Sequence, residues 1–304
     1  MNTPGTRSSS SRLKTWWYAI RPHTLGASIA PMLIVTGALV QQDAVDIFPL
    51  ILCYIVALSA QIASNIGNDL FDYLDGADTE GRVGFERVLT RGKVTFRQMA
   101  IALGIALAVC IVAGVTLAYM QEWWLLAIGV AVVVGVFAYS AGPYPLSYNG
   151  LGDMAVVLFF GLVPVLGTYY AVAGTPPGYL LPLALGIGAW EANILVVNNY
   201  RDYAEDKTTG KNTLVVMIGE KSGPKLYMFN ALLSLLLFCG GMLLLPSWQA
   251  SLIVGGVALI FFGIGSILVT KLRGKRLNQL LIYTSRISIL IALVVMIALI
   301  IFPI

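Results

Sequence analysis

The sequence predicts an all-α membrane protein, a polytopic bundle of nine transmembrane helices. Three observations carry this. Apolar runs of about 20 residues, long enough to cross a bilayer as a helix, recur along the whole 304-residue chain. Only 11% of the residues are charged and 58% are hydrophobic, whereas a soluble domain carries about a quarter charged residues. The nineteen lysines and arginines all fall on alternate connections between the apolar runs. A backbone in lipid must satisfy its own polar groups, which long runs do as helices. A β-barrel would need short alternating strands instead.

The spans are expected at 22–40, 47–68, 97–119, 123–140, 153–172, 179–199, 226–245, 248–270 and 283–303, with Pro31, Pro164 and Pro182 inside them. Arg7, Arg12, Lys14 and Arg21 precede or begin the first span. Arg82, Arg87, Arg91, Lys93 and Arg97 lie between the second and third. Arg201, Lys207, Lys211, Lys221 and Lys225 lie between the sixth and seventh. Lys271, Arg273, Lys275, Arg276 and Arg286 complete the set between the eighth and ninth. The other connections hold none. The positive-inside rule then puts the amino terminus in the cytoplasm and the carboxyl terminus outside. Residues 1–15, polar and serine-rich, read as a disordered cytoplasmic tail. They contain no removable signal peptide. Residues 16–304 read as a single transmembrane domain. The net charge of +4 reflects topology rather than nucleic-acid binding. Cys53, Cys110 and Cys239 sit inside apolar runs without metal-ligand spacing, and the single histidine, His23, excludes a histidine metal site.

Two basic connections are also rich in carboxylates and amides. One follows the second span, Asn65-Ile-Gly-Asn68-Asp69-Leu-Phe-Asp72-Tyr-Leu-Asp75-Gly-Ala-Asp78. The other follows the sixth, Asn198-Asn199-Tyr-Arg201-Asp202-Tyr-Ala-Glu205-Asp206-Lys207. If the helices continue through them, Asn65, Asn68 or Asp69, and Asp72 share one helical face, as do Asn198, Asp202 and Asp206. Glu191 extends the second stripe inward, and an ionisable residue that deep marks a functional site by default. Converging carboxylates repel unless a cation lies between them. Mg²⁺ takes oxygen ligands and shares them with water and phosphate. Arg82, Arg87, Arg91 and Lys93 follow the first cluster, and Arg201, Lys207 and Lys211 surround the second. Carboxylates, metal and basic side chains together suit a diphosphate. Glu80, Glu86, Glu205 and Glu220 read as solvated loop charges.

The shared spacing of Asn68-x-x-x-Asp72 and Asn198-x-x-x-Asp202 suggests two halves, about 16–140 and 150–270, facing one another across a cavity, with the ninth helix added. A cation-coupled transporter is the rival from another class. Its site is expected nearer the midplane, where Glu191 alone lies. A CDP-alcohol phosphotransferase is disfavoured because Asp75-Gly76 is followed by Ala-Asp-Thr-Glu.

The two aspartate motifs resemble those of the UbiA superfamily of intramembrane prenyltransferases. NNYRDYAEDKTTGKNTLVVMIG (198–219), IRPHTLGASIAPMLIVTGAL (20–39) and YNGLGDMAVVLFFG (148–161) are similar to its menaquinone branch, the 1,4-dihydroxy-2-naphthoate polyprenyltransferases. The likeness covers nearly the whole chain after residue 15. It implies a UbiA-type fold in a bacterial inner membrane, with a cytoplasmic-side cavity under loops 70–95 and 200–222. It implies Mg²⁺ between the two motifs and the transfer of a polyprenyl chain from polyprenyl diphosphate to 1,4-dihydroxy-2-naphthoate, with loss of diphosphate and CO₂. Another aromatic acceptor, 4-hydroxybenzoate or homogentisate, is the alternative within the family. By position the resemblance makes Asn68, Asp69, Asp72, Asp78, Asp202 and Asp206 the metal ligands, with Asp72, Asp202 and Asp206 catalytic. It gives Arg82, Arg201, Lys207 and Lys211 to the diphosphate. It sets Arg21, Tyr139, Tyr148, Glu191 and Asn198 around the acceptor and the cation, with Tyr144 as a further ring. Gly76 stands where the broader family has its last motif aspartate, with Asp75 and Asp78 on either side. The 141–150 loop lacks the basic residue many relatives carry there.

Overall fold

Twelve α-helices make up the computed structural model, which describes residues 9–74, 76, 83–85 and 87–302. They are α1 (Ser9–Ile20), α2 (Gly26–Gln41), α3 (Ile47–Leu74), α4 (Phe96–Met120), α5 (Leu125–Ser140), α6 (Gly152–Ala173), α7 (Leu180–Arg201), α8 (Tyr203–Thr208), α9 (Leu214–Ile218), α10 (Gly223–Leu243), α11 (Trp248–Lys271) and α12 (Leu277–Ile301). No strand occurs among the described residues. Seven helices are long and apolar enough to cross a membrane, and an eighth span arises if α2 is taken with the segment before it, from which it bends by 52°. All nine expected positions are helical. However, α2 and α5 have 16 residues each, fewer than the roughly 20 of a straight crossing.

The differences from expectation have local causes. The tail expected to be unstructured to residue 15 is helical from Ser9. Pro22 opens the turn Pro22–Thr24 after α1 and forces the change of direction into α2. α12 starts at Leu277, six residues earlier than expected. Pro182 falls in the first turn of α7, where its missing N–H costs nothing. Pro164 sits in the middle of α6, and there residues Leu158–Gly167 widen to a π-helix. Such a widening accommodates the ring without ending the helix. Thr95 starts α4 with a capping box, accepting from the Gln98 amide while the Gln98 side chain takes the Thr95 amide proton.

α7 is the buried axis of the bundle, packed by α6, α10 and α12. Small residues let its neighbours approach. A Cβ on Gly161 of α6 would strike the Ala184 carbonyl and lie 2.9 Å from the Gly188 Cα of α7. Trp190 of α7 is fully buried, stacked 3.8 Å from the Phe262 ring of α11, and donates its indole proton to the Thr284 carbonyl of α12 at 3.0 Å. One side chain thus ties three helices. α4 lies at the outside, with Ile105 and Val112 more than 60% exposed, as residues facing lipid should be.

Candidate active site

α3 has 28 residues, about 42 Å at 1.5 Å per residue, against a hydrocarbon core of about 30 Å. Its last turns therefore project beyond the lipid, and they carry Asn68, Asp69 and Asp72. The helix does continue through the first motif, so Asn65, Asp69 and Asp72 are all turned inward and buried. Arg21 and Arg87 both donate to Asp69 Oδ1. Arg87 reaches on to Asp72 Oδ2 at 2.7 Å. Asp72 Oδ1 accepts from the Tyr148 hydroxyl and from Lys211 Nζ, each at 2.9 Å. Asp72 is 1% exposed. A carboxylate that deep persists only with charged and hydroxyl partners around it.

Local structure explains how Lys211 arrives there. α8 ends at Thr208, and Gly210 adopts φ 76°. The Lys211 amide then donates to the Asp206 carbonyl at 2.9 Å, the long bond of a Schellman cap. The next amide, Asn212, donates to the Tyr148 carbonyl at 2.9 Å. The Lys211 ammonium lies 4.5 Å over the Tyr148 ring, a cation–π contact. The loops that carry Tyr148 and Lys211 are thereby fixed to one another over the end of α3.

The second mouth begins where α7 stops. Asp202 leaves helical geometry (φ −95°, ψ 9°) before α8 starts, so the expected Asn198, Asp202 and Asp206 stripe is broken at its middle member. Arg201 grips Asp202 side-on, with Nε 2.7 Å from Oδ1 and Nη2 2.6 Å from Oδ2. It also donates to Asn198 Oδ1 at 2.5 Å and Asn278 Oδ1 at 2.7 Å. Asp206 is buried and Lys207 is exposed.

A cavity of about 240 Å³ lies between the mouths. Asn68 and Arg87 line it from one side, Asn198 and Arg201 from the other, and Arg21, Tyr139 and Glu191 also border it. An apolar cavity of about 150 Å³ between α3, α5 and α6 shares Gln61, Ser64, Tyr139, Val156 and Phe160 with it. The polar chamber thus leads into an apolar one. On the turn before α2, outside the spanning helices, His23 stacks on Phe85 with ring centres 4.0 Å apart. Burial, then the charges of Arg21 and Arg201, push its imidazole down to about 4.

Asp69, Asp72 and Asp202 are held behind the chamber wall by Arg21, Arg87 and Arg201, while Arg21, Asn68, Tyr139, Glu191, Asn198 and Arg201 line it. Lys207 does not, because its side chain points to solvent on α8. Tyr144 is 60% exposed and borders neither cavity. Asp75, Asp78 and Arg82 lie outside the described residues. Arg201 is committed to Asp202, Asn198 and Asn278. Arg87, Ser140 and Asn278 had no assigned role. Arg87 stood among the basic residues after the first motif, which was its only signal. Ser140 donates to Asn68 Oδ1 at 3.2 Å, and neither it nor Asn278 has a local pattern that marks it.

Among the described residues, no three His, Cys, Asp or Glu side chains form a ready-made metal cluster. The donor chemistry nevertheless fits Mg²⁺. Asn68, Asp69, Asp72, Asp202 and Asp206 are hard oxygen donors at two mouths of one chamber, and Mg²⁺ is usually held by one or two carboxylates with water and phosphate completing its shell.

Comparison with known proteins agrees with this architecture. The UbiA prenyltransferase family model matches residues 28–287. The 1,4-dihydroxy-2-naphthoate octaprenyltransferase of Mycobacterium tuberculosis is 36% identical over 70% of this chain and 72% of its own length. Its Escherichia coli counterpart is 32% identical over 77% of this chain and 79% of its own. A UbiA homolog from Archaeoglobus fulgidus, solved bound to DMAPP and Mg²⁺, superposes with a TM-score of 0.68 at 16% identity, covering 94% of this chain and 99% of that one. A bundle of apolar helices, paired acidic mouths over one chamber, and sequence matches across most of its length make this chain a member of the UbiA prenyltransferase family.

Proposed function

We propose that this protein transfers a polyprenyl group from polyprenyl diphosphate to 1,4-dihydroxy-2-naphthoate, releasing diphosphate and CO₂ and forming the prenylated naphthoquinol of menaquinone synthesis. One observation carries the reading. The two motif-bearing mouths border a single chamber, through Asn68 and Arg87 on one side and Asn198 and Arg201 on the other, and it continues into an apolar cavity. That arrangement suits a substrate with a charged head and a hydrocarbon tail. The curated relatives supply the acceptor.

In this reading Asn68, Asp69, Asp72, Asp202 and Asp206 hold Mg²⁺, with Asp78 added from the first motif. Bound there, Mg²⁺ would neutralise the charge that develops on the departing diphosphate. Lys211, Arg21 and Arg87 turn from their carboxylates to the diphosphate oxygens, and Arg82 joins them. Arg201 acts by fixing Asp202 and Asn198 rather than by binding phosphate itself. The tail lies in the apolar cavity. The faces of Tyr139 and Phe160, shared by both cavities, lie beside the allylic cation and exclude water from it. Tyr148 keeps Lys211 and Asp72 in register. Residues 16–304 form one domain of two halves, each with a mouth after its second span. In each half the second and third spans pack together, α3 on α4 and α7 on α10. The mouths face the cytoplasm, which puts the carboxyl terminus outside.

The test is direct. Purified protein is given Mg²⁺, a polyprenyl diphosphate and a panel of aromatic acids. The expected product is a prenylated, decarboxylated naphthoquinol. Transfer only to 4-hydroxybenzoate or homogentisate, or no transfer at all, would overturn the reading.

A further inference from the structure

The chamber wall carries three buried acceptor oxygens, on two residues, that nothing among the described residues satisfies. Both carboxyl oxygens of Glu191 lack a donor, and so does Gln61 Oε1. Glu191 is 1% exposed and Gln61 7%, and both residues line the same polar cavity. Leaving such oxygens unpaired is costly, more so when they are charged. The hydroxyl beside Glu191, on Ser288, donates instead to the Ser285 carbonyl at 2.8 Å. The orientation of Gln61 follows from its neighbours. Thr24 spends its only proton on the Arg21 carbonyl at 2.9 Å. Its oxygen can then only accept, and it takes a proton from Gln61 Nε2 at 3.3 Å and from Asn65 Nδ2 at 3.0 Å. The Gln61 amide nitrogen is thereby held on Thr24, and Oε1 is left over. Two other unpartnered oxygens, on Asp153 and Asn193, are not on the wall of this cavity.

We propose that Gln61 and Glu191 are the acceptor-recognition pair, which reads a para-dihydroxy aromatic ring through its two hydroxyl protons. The inference rests on the prenyl-transfer reading and adds residues and roles to it. Only the hydroxyl next to the attacked ring carbon can become a carbonyl conjugated to that carbon, and only Glu191 can take a proton. Glu191 therefore faces that hydroxyl, and Gln61 Oε1 accepts from the opposite one. The step balances. The allylic C–O bond breaks and diphosphate leaves with its electron pair. The ring carbon that bears the carboxylate forms the new C–C bond as the Glu191 carboxylate takes the adjacent hydroxyl proton, leaving a ketone. The carboxylate departs as CO₂, its bonding pair restores the aromatic ring, and Glu191 returns the proton to the oxygen.

Two variants and one substrate analogue test this. In the wild type, kcat/KM for 1,4-dihydroxy-2-naphthoate should exceed that for 1-hydroxy-2-naphthoate by about 10-fold or more, the value of one lost hydrogen bond to a buried acceptor. In Gln61→Met that preference should fall to near unity, with the KM for polyprenyl diphosphate unchanged. Glu191→Gln, nearly the same shape, should lower kcat by about 100-fold with little change in either KM. Thermal unfolding in detergent shows whether each variant is folded. An undiminished preference in Gln61→Met would overturn the role of Gln61, and an undiminished kcat in Glu191→Gln would overturn that of Glu191. A wild type that prenylates neither naphthoate would instead overturn the transfer reading itself.

Discussion

Lys211 Nζ lies 2.9 Å from Asp72 Oδ1, although 139 positions separate the two residues. This pair joins the end of α3 to the loop after α8. Asp72 is held at the same time by Arg87 and Tyr148, so its carboxylate is fixed in place. Asp72→Ala and Asp202→Ala should each abolish turnover while the protein stays folded. Lys211→Met should raise the KM for polyprenyl diphosphate by about 10- to 100-fold, the value of one charge-assisted bond, and leave the acceptor KM unchanged. Steady-state kinetics with each substrate varied in turn would check both.

Arg87 bridges Asp69 and Asp72 and is 6% exposed. Removing one partner from a buried ion network leaves the others uncompensated, which typically costs about 3–5 kcal/mol. Arg87→Met should therefore lower the thermal unfolding midpoint in detergent sharply. Asp72→Asn in the same chain should recover part of the loss, because it removes the charge left behind. Arg87→Lys should not rescue, since one ammonium cannot span both carboxylates.

Gly210 takes a left-handed conformation, φ 76°, with open space where a Cβ would stand. The cost of Gly210→Ala is thus backbone strain alone, about 1 kcal/mol. The Schellman cap aims Lys211, so strain there should loosen the Lys211–Asp72 pair. The expected result is a diphosphate KM raised severalfold, less than in Lys211→Met. A diphosphate KM equal to the wild-type value would separate the cap from binding.

Stripping divalent metal with a chelator should abolish turnover, and Mg²⁺ in excess should restore it. The same treatment should weaken binding of the prenyl diphosphate, followed by calorimetry, because the carboxylates of the two mouths would then repel the phosphates with only the basic side chains to offset them. Unchanged affinity would remove the metal from substrate binding.

Much of this architecture was legible in the sequence because lipid imposes a simple rule. Spans must be long, apolar and helical, and cations stay on one side. Asp72 and Asp202 stand out in the sequence because acidic residues at helix ends contrast with an apolar chain. Asn278 and Ser140 were not found, because each meets the site only through folding, from more than 70 residues away. Lys207, given to the diphosphate by the resemblance, lies on the exposed face of α8. The break at Asp202 rotates α8 relative to α7, so a helical stripe counted from Asn198 no longer applies beyond it. Arg201 was assigned to phosphate on proximity alone, and its side-on grip on Asp202 only becomes visible in three dimensions.

His23 offers a pH test with a definite sign. Its imidazole titrates near 4 in the folded protein against 6.5 when free of the fold. Between those values the unfolded chain binds a proton that the folded chain refuses, so stability falls as pH drops through this window. The contribution is complete above about 6.5 and is lost progressively toward 4. Comparison with His23→Phe separates this group from carboxyl groups that titrate over the same range. Lowering the pH from about 7.5 to about 5.5 should cost about 1 kcal/mol through this group, seen as a lower unfolding midpoint in detergent. His23→Phe keeps a ring to stack on Phe85 and cannot take a proton, so it should flatten that slope. A slope as steep in His23→Phe as in the wild type would mean that another group titrates there. The neutral imidazole also has a consequence for the chamber. Arg21 and Arg201 already supply positive charge around His23, and a third charge on the ring would compete with them for the Asp69 and Asp202 carboxylates.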